Sequence, residues 1–138
     1  MLRYISSFIR DPWVASVIPT STRVVRRILD ELELHKAGTV VELGAGHGVF
    51  TREILTRMRP SATLVAIERN QDLFQRLEHV LHGPSPSQVN VKLIHGDACD
   101  WNLHLANCGI QRVSCVISGI PFSFLKPESE SIHIFCFG

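Results

Sequence analysis

The sequence predicts an α/β domain built on a parallel sheet, and three observations carry that prediction. Short β-branched runs alternate with segments whose apolar residues recur at helical spacing. Glycines cluster where the first of these runs passes into a helix, at Gly44, Gly46 and Gly48. The chain has 138 residues, 45% of them hydrophobic, which suits one globular domain and leaves little room for a second.

Each element has its own justification. Leu2, Ile5, Phe8 and Ile9 fall at helical spacing with Arg3 and Arg10 beside them, so a short helix is expected up to Asp11-Pro12. A second helix follows Pro19-Thr20-Ser21, where hydroxyl caps precede Val24, Val25, Ile28, Leu29 and Leu32. His35 to Gly38 closes it. Thr39 to Leu43 reads as the first strand, and Phe50, Ile54, Leu55 and Met58 mark the helix after the glycine turn. Thr63 to Ile67 is the second strand, ending at Glu68. Leu73, Phe74, Leu77, Val80 and Leu81 then make an amphipathic helix that completes a βαβ unit.

Gly83-Pro84-Ser85-Pro86-Ser87 is a loop by composition. The third strand runs from Val91 to Ile94 and ends at His95-Gly96-Asp97. A weakly patterned connection passes Trp101 and Leu105 to Gly109, and Val113 to Ile117 forms the fourth strand. Beyond Ser118-Gly119-Ile120-Pro121-Phe122 no clear period remains. Ile132, Ile134, Phe135 and Phe137 suggest an incomplete fifth strand. Residues 1–36 therefore read as a helical cap, 37–126 as the core and 127–138 as an atypical tail.

Composition narrows the function classes. Lys+Arg 14 against Asp+Glu 13 gives a net charge of +1, which provides no general field for a nucleic-acid backbone. Arg23, Arg26 and Arg27 are a local exception, suited to lipid phosphate, RNA phosphate or water. No stretch is long and apolar enough for a membrane span, and the amino terminus lacks a secretory core, so a cytoplasmic protein is expected. The four cysteines contain no C-x-x-C pair, and His79 and His82 have no further ligands nearby, so no metal is expected.

The glycine turn is the main chemical signal. From Gly44 a dinucleotide fingerprint would place its third glycine at position 49, where this chain has Val49; it writes G-x-G-x-G instead. No Gly-Lys-Ser/Thr follows, which excludes a phosphate loop. Glu42, two residues before Gly44, would repel a pyrophosphate and attract a cationic amino or sulfonium group. Glu68 lies about twenty residues beyond the turn, where an acid accepts hydrogen bonds from ribose hydroxyls. Asp97 is placed to meet an adenine amino group.

Together Glu42, Gly44, Ala45, Gly46, Gly48, Glu68, Asp97 and Ala98 resemble the cofactor motifs of class I S-adenosylmethionine-dependent methyltransferases. The resemblance implies a Rossmann-like parallel sheet, of which this chain supplies the amino-terminal part, and S-adenosyl-L-methionine as cofactor. The Ser118, Gly119, Pro121 and Phe122 positions resemble the S/N-x-x-P-F/Y/L loop of amine-directed members. In that reading backbone carbonyls of Ser118 and Gly119 hold the acceptor amine, Pro121 stiffens the loop and Phe122 offers a ring face.

Two substrate classes use such a loop: adenine in ribosomal RNA, and the ethanolamine head group of a phospholipid. Ser118-Gly119-Ile120-Pro121-Phe122 resembles the bacterial phospholipid N-methyltransferases more closely. Phe8-Ile9-Arg10-Asp11-Pro12 and Val17-Ile18-Pro19-Thr20-Ser21 resemble segments of the same lipid family. The implied partner is a phospholipid head group at the inner membrane surface, with RNA as the alternative; the first helix suits either a peripheral lipid contact or a lid packed on the domain. A complete fold of this class has seven strands and this sequence offers four. The fourth is therefore expected to present an open apolar edge prone to self-association, and a non-catalytic binding fragment is a third reading.

Overall fold

A computed structural model describes residues 2–4, 22–82, 88–118 and 133–137. Six strands form one sheet: β1 (Leu2–Tyr4), β2 (Thr39–Leu43), β3 (Thr63–Glu68), β4 (Asn90–His95), β5 (Cys115–Ser118) and β6 (His133–Phe137). Their spatial order is β1-β6-β5-β2-β3-β4. The four adjacent strands β5, β2, β3 and β4 are parallel, with β4 at the sheet edge, whereas β6 runs antiparallel to both β5 and β1. Among the described residues four α-helices accompany the sheet: α1 (Thr22–Asp30), α2 (Val49–Leu55), α3 (Gln71–Leu81) and α4 (Trp101–Asn107).

β2, β3 and β5 are near-continuous buried runs because the sheet is covered on both faces there, whereas the edge strand β4 buries none of its residues fully. Alternation sends Val40, Leu64, Cys115 and Ile117 toward Val25 and Leu29 of α1 and Phe50 and Ile54 of α2. Val41, Val65, Ile67 and Val116 pack on the other side with Leu105 of α4 and the partly buried Trp101. Leu77 of α3 closes on Ala45 and Ala66. Asn70 caps α3, its side-chain oxygen accepting the Leu73 N–H at 3.1 Å. Polar contacts tie α1 to α2. Arg57 donates to Asp30 and Glu53, and Arg26 reaches the other Glu53 oxygen at 3.0 Å.

β2 is the switch point. The chain moves outward from β2 to β3 and β4, then crosses back to place β5 on the other side of β2. Strand order reverses there, and open parallel sheets bind ligands in the crevice at the carboxyl ends of the two strands involved.

Three expectations need correction. Residues 2–4 are a strand, not the start of a helix: Leu2 is in register with Phe137 and Tyr4 with Phe135. The spacing of a few apolar residues cannot distinguish a short helix from a strand, and pairing with β6 decides it. The rest of that first segment, to Ser21, lies outside the described residues. The fourth parallel strand has no open edge, because β6 pairs with it from Cys115↔Cys136 to Ser118↔His133. The tail thus forms a strand despite its weak pattern. The connection after Asp97 contains a 3-10 turn, Ala98–Asp100, and α4, a helix that buries only Leu105. Among the described residues no helix is long and apolar enough to cross a membrane.

Candidate functional site

The strand ends around the switch point gather Glu42, the glycine turn, Glu68 and Ser118, with Asp97 one strand further out. Gly44, Gly46 and Gly48 all take positive φ, 72°, 56° and 80°, which explains the residue type at each. The turn is anchored to β3, where the Ile67 carbonyl accepts the N–H groups of Gly44 and Ala45 at 2.8 and 3.1 Å.

The last two glycines differ in what surrounds them. A β-carbon at Gly48 would lie 2.6 Å from Leu77 Cδ2, so this glycine lets α3 close against the turn. At Gly46 a β-carbon would meet nothing nearer than the Gly44 carbonyl at 3.9 Å. Gly46 therefore keeps open space beside the turn, enough for another group to approach the backbone there.

Glu68 closes the far side of the turn. Its carboxylate is buried, and its oxygens accept the Gly46 N–H at 2.7 Å and the Asn70 N–H at 2.8 Å. One backbone bond to each oxygen leaves further lone pairs for ligand hydroxyls. Asp97 lies in the equivalent place after β4. Its Oδ1 accepts the Cys99 N–H at 2.9 Å, which together with Arg69 holds the carboxyl below its usual range. Ala98 begins the 3-10 turn behind it.

Glu42 differs from its expected role in one respect. It is 2% exposed, and its Oε2 accepts the Thr51 hydroxyl proton at 2.6 Å. Burial, helped by the charge of Glu68, raises its pKa to about 8 although the Thr51 bond opposes the shift. The carboxyl is thus mainly protonated at neutral pH and joins β2 to the first turn of α2. Ser118 is buried at the end of β5, in register with Leu43. Gly119, Pro121 and Phe122 lie outside the described residues.

The donor set fits S-adenosylmethionine. Carboxylates stand at the end of β3 and just beyond β4, groups able to accept hydrogen bonds from hydroxyls and an amine, and a third carboxyl lies buried behind the glycine turn. With its carboxyl protonated, Glu42 carries no charge to repel a pyrophosphate or attract a sulfonium, which corrects the electrostatic role expected of it. Sequence reasoning passed over Thr51 and Asn70. Asn70 carried a signal, an N-cap residue two positions after Glu68, whereas the partnership of Thr51 with Glu42 appears only once α2 is folded against β2. Among the described residues no three His, Cys, Asp or Glu side chains gather as a metal site.

Comparison with known proteins gives the family. Residues 14–124 match the model of the ribosomal RNA adenine dimethylase family. The chain belongs to that family. It has the class I methyltransferase fold, and the solved O-methyltransferase TomG of Streptomyces achromogenes and the fibrillarin of Aeropyrum pernix, which share that fold with TM-scores of 0.56 and 0.55, hold S-adenosylmethionine. Among individual relatives, an ornithine lipid N-methyltransferase from Singulisphaera acidiphila is 33% identical over 85% of this chain and 59% of its own length. A ribosomal RNA small subunit methyltransferase A from Moorella thermoacetica is 39% identical over 54% of this chain and 24% of its own. A solved structure titled precorrin 8W decarboxylase, from Methanobacterium thermoautotrophicum, superposes with a TM-score of 0.57 at 29% identity, covering 86% of this chain and 57% of that one. The chain therefore spans little more than half the length of the longest-matching of these relatives.

Proposed function

We propose that this chain is the cofactor-binding part of an N-methyltransferase whose acceptor is the primary amine of a lipid head group. Phosphatidylethanolamine is the acceptor favoured by the Ser118 to Phe122 loop. The observation that carries the reading is the lipid-modifying relative aligned over 85% of the chain. The loop points the same way independently, since Ser-Gly-Ile-Pro-Phe resembles the lipid enzymes more than the RNA enzymes.

S-adenosylmethionine supplies a methyl group made electrophilic by its sulfonium. The work of this chain is to hold the donor and aim an amine at it. In this reading Glu68 accepts the ribose hydroxyls, Asp97 accepts the adenine amino group, and Gly46 admits the donor against the backbone. The Ser118 and Gly119 carbonyls accept the N–H bonds of the acceptor amine, keeping its lone pair directed at the methyl carbon. The new C–N bond forms as the C–S bond breaks, the thioether leaves neutral, and the amine loses a proton to solvent.

A second reading, N6-dimethylation of adenine in RNA, is favoured by the family model itself. Transfer of labelled methyl from S-adenosylmethionine separates the two. The lipid reading expects label in vesicles of phosphatidylethanolamine or ornithine lipid and none in small-subunit ribosomal RNA. Label in the RNA alone would replace it with the second reading. Donor binding with label in neither substrate would leave the chain as a binding module.

A further inference from the structure

The loops carrying Glu68 and Asp97 are separate in sequence, yet their spacing must match one adenosine. The structure shows what sets it. The Gly96 N–H donates to the Glu68 carbonyl at 3.1 Å, extending the β3–β4 ladder past its last pair. His95 Nε2 lies 2.9 Å from the Arg69 carbonyl, and the ring packs on Phe74 with centroids 5.1 Å apart. On the opposite side, His104 of α4 brings its own Nε2 within 3.1 Å of the Asp97 carbonyl. Carbonyls only accept, so each imidazole presents Nε2–H.

A second, steric observation singles out His104. A β-carbon on Gly96 would lie 2.6 Å from both His104 Cε1 and Nε2. The ring rests directly on the glycine that precedes Asp97, so a larger residue there would displace it. His104 thus grips the Asp97 turn twice, by a hydrogen bond to its carbonyl and by contact with its glycine.

We propose that His104 is a positioning residue for adenine recognition: it holds the Gly96-Asp97 turn at the height from which the Asp97 carboxylate meets the exocyclic amine. The inference rests on the cofactor reading given above and adds to it a residue on α4, seven positions beyond Asp97. Its role follows from the placement of a donor and from a missing side chain, and it is independent of any methyl acceptor.

The test uses calorimetric binding of S-adenosylhomocysteine and of S-inosylhomocysteine, in which a carbonyl replaces the adenine amine. The wild-type chain is expected to prefer the adenosyl ligand at least tenfold, since the inosyl carbonyl faces a carboxylate. His104→Leu, which removes the donor, should cut adenosyl affinity about tenfold and shrink the preference toward unity, and His104→Gln, which restores an N–H near Nε2, should recover much of it. Gly96→Ala should reproduce the loss by displacing the ring, and combining it with His104→Leu should add nothing further. Wild-type preference retained in both His104→Leu and Gly96→Ala overturns the inference. So does an equal loss for both ligands with a lowered melting temperature, which marks His104 as merely structural. A wild-type chain that binds both ligands without preference also overturns it. If the wild-type chain binds neither ligand, the cofactor reading falls and this inference falls with it.

Discussion

Glu42→Gln should raise the stability of the folded chain at neutral pH, although it removes an acid from the signature turn. The carboxyl is buried behind the glycines, and its pKa is raised from 4.5 to about 8. A raised carboxyl pKa means that the folded state binds a proton that the unfolded state releases. Its contribution to stability is therefore complete below about pH 4.5 and is lost as pH rises through about 8. Across that window the loss is about 1.4 kcal/mol per pH unit, reaching about 3 kcal/mol by pH 7. Glutamine keeps an oxygen for the Thr51 hydroxyl and has no proton to lose. Urea unfolding of both chains at pH 5, 6, 7 and 8 should give similar free energies at pH 5 and a gap that widens with pH in favour of the variant. Every other titrating group is common to the two, so the gap isolates Glu42. Parallel stability profiles would refute the reasoning, because they would mean that Glu42 is already ionised in the folded chain and that water or a neighbour compensates its burial.

The remaining predictions concern the turn and the helix layer. Glu68→Ala should weaken S-adenosylmethionine binding by about 1–3 kcal/mol in calorimetry, because the ribose hydroxyls lose their acceptor and the Gly46 and Asn70 N–H groups lose theirs. Gly48→Ala should cost about 1–3 kcal/mol in chemical denaturation, since φ of 80° strains any side chain and the new methyl meets Leu77 at 2.6 Å. Glu53→Gln should cost about 1 kcal/mol at pH 7 by breaking the Arg26 contact that joins α1 to α2 and the local i,i+4 pair with Arg57. Arg57 holds the Glu53 carboxyl below its ordinary pKa, so that stabilisation is present above the unfolded value and fades as pH falls through the folded one. Unfolding curves at pH 7 and pH 3 should show the cost shrinking in acid.

Much of this fold was legible because a central parallel strand needs apolar residues on both faces and a helix needs them on one. Thr39 to Leu43 and Thr63 to Glu68 satisfy the first rule, and Leu73 to Leu81 the second, so these elements emerge from local pattern alone. The acids at the strand ends were legible for a related reason: a charged residue that stops an apolar run marks where the sheet meets solvent or ligand. The failures share one physical cause. α4 buries a single residue, so its sequence carries almost no stripe. β1 and β6 are strands through partners at opposite ends of the chain, and no window along the sequence contains that information. Thr51 and His104 act through tertiary contacts, to Glu42 and to the Asp97 carbonyl, and a short motif records only one end of each.

The two substrate readings also become easier to separate once the site is divided by strand. In the proposed reading the ends of β3 and β4, with Glu68 and Asp97, hold the adenosine of a donor shared by lipid and RNA methylation and so do not discriminate between acceptors. Discrimination belongs to the end of β5, where the chain leaves Ser118 toward Phe122. Both acceptors present an N–H-bearing nitrogen, and backbone carbonyls serve either. What separates them is the face offered next: a flat base needs a stacking partner of its own size, whereas a head-group amine needs a narrow opening near lipid. Replacing Phe122 by Leu keeps bulk and removes the ring. It should abolish methylation if adenine stacks there and leave transfer to a lipid amine largely intact, as read by labelled-methyl incorporation into each substrate. Loss of lipid transfer alone on that change would show that the ring faces the developing ammonium, a cation–π role worth about 1–2 kcal/mol, and would move Phe122 from the substrate-choice argument to the chemistry itself.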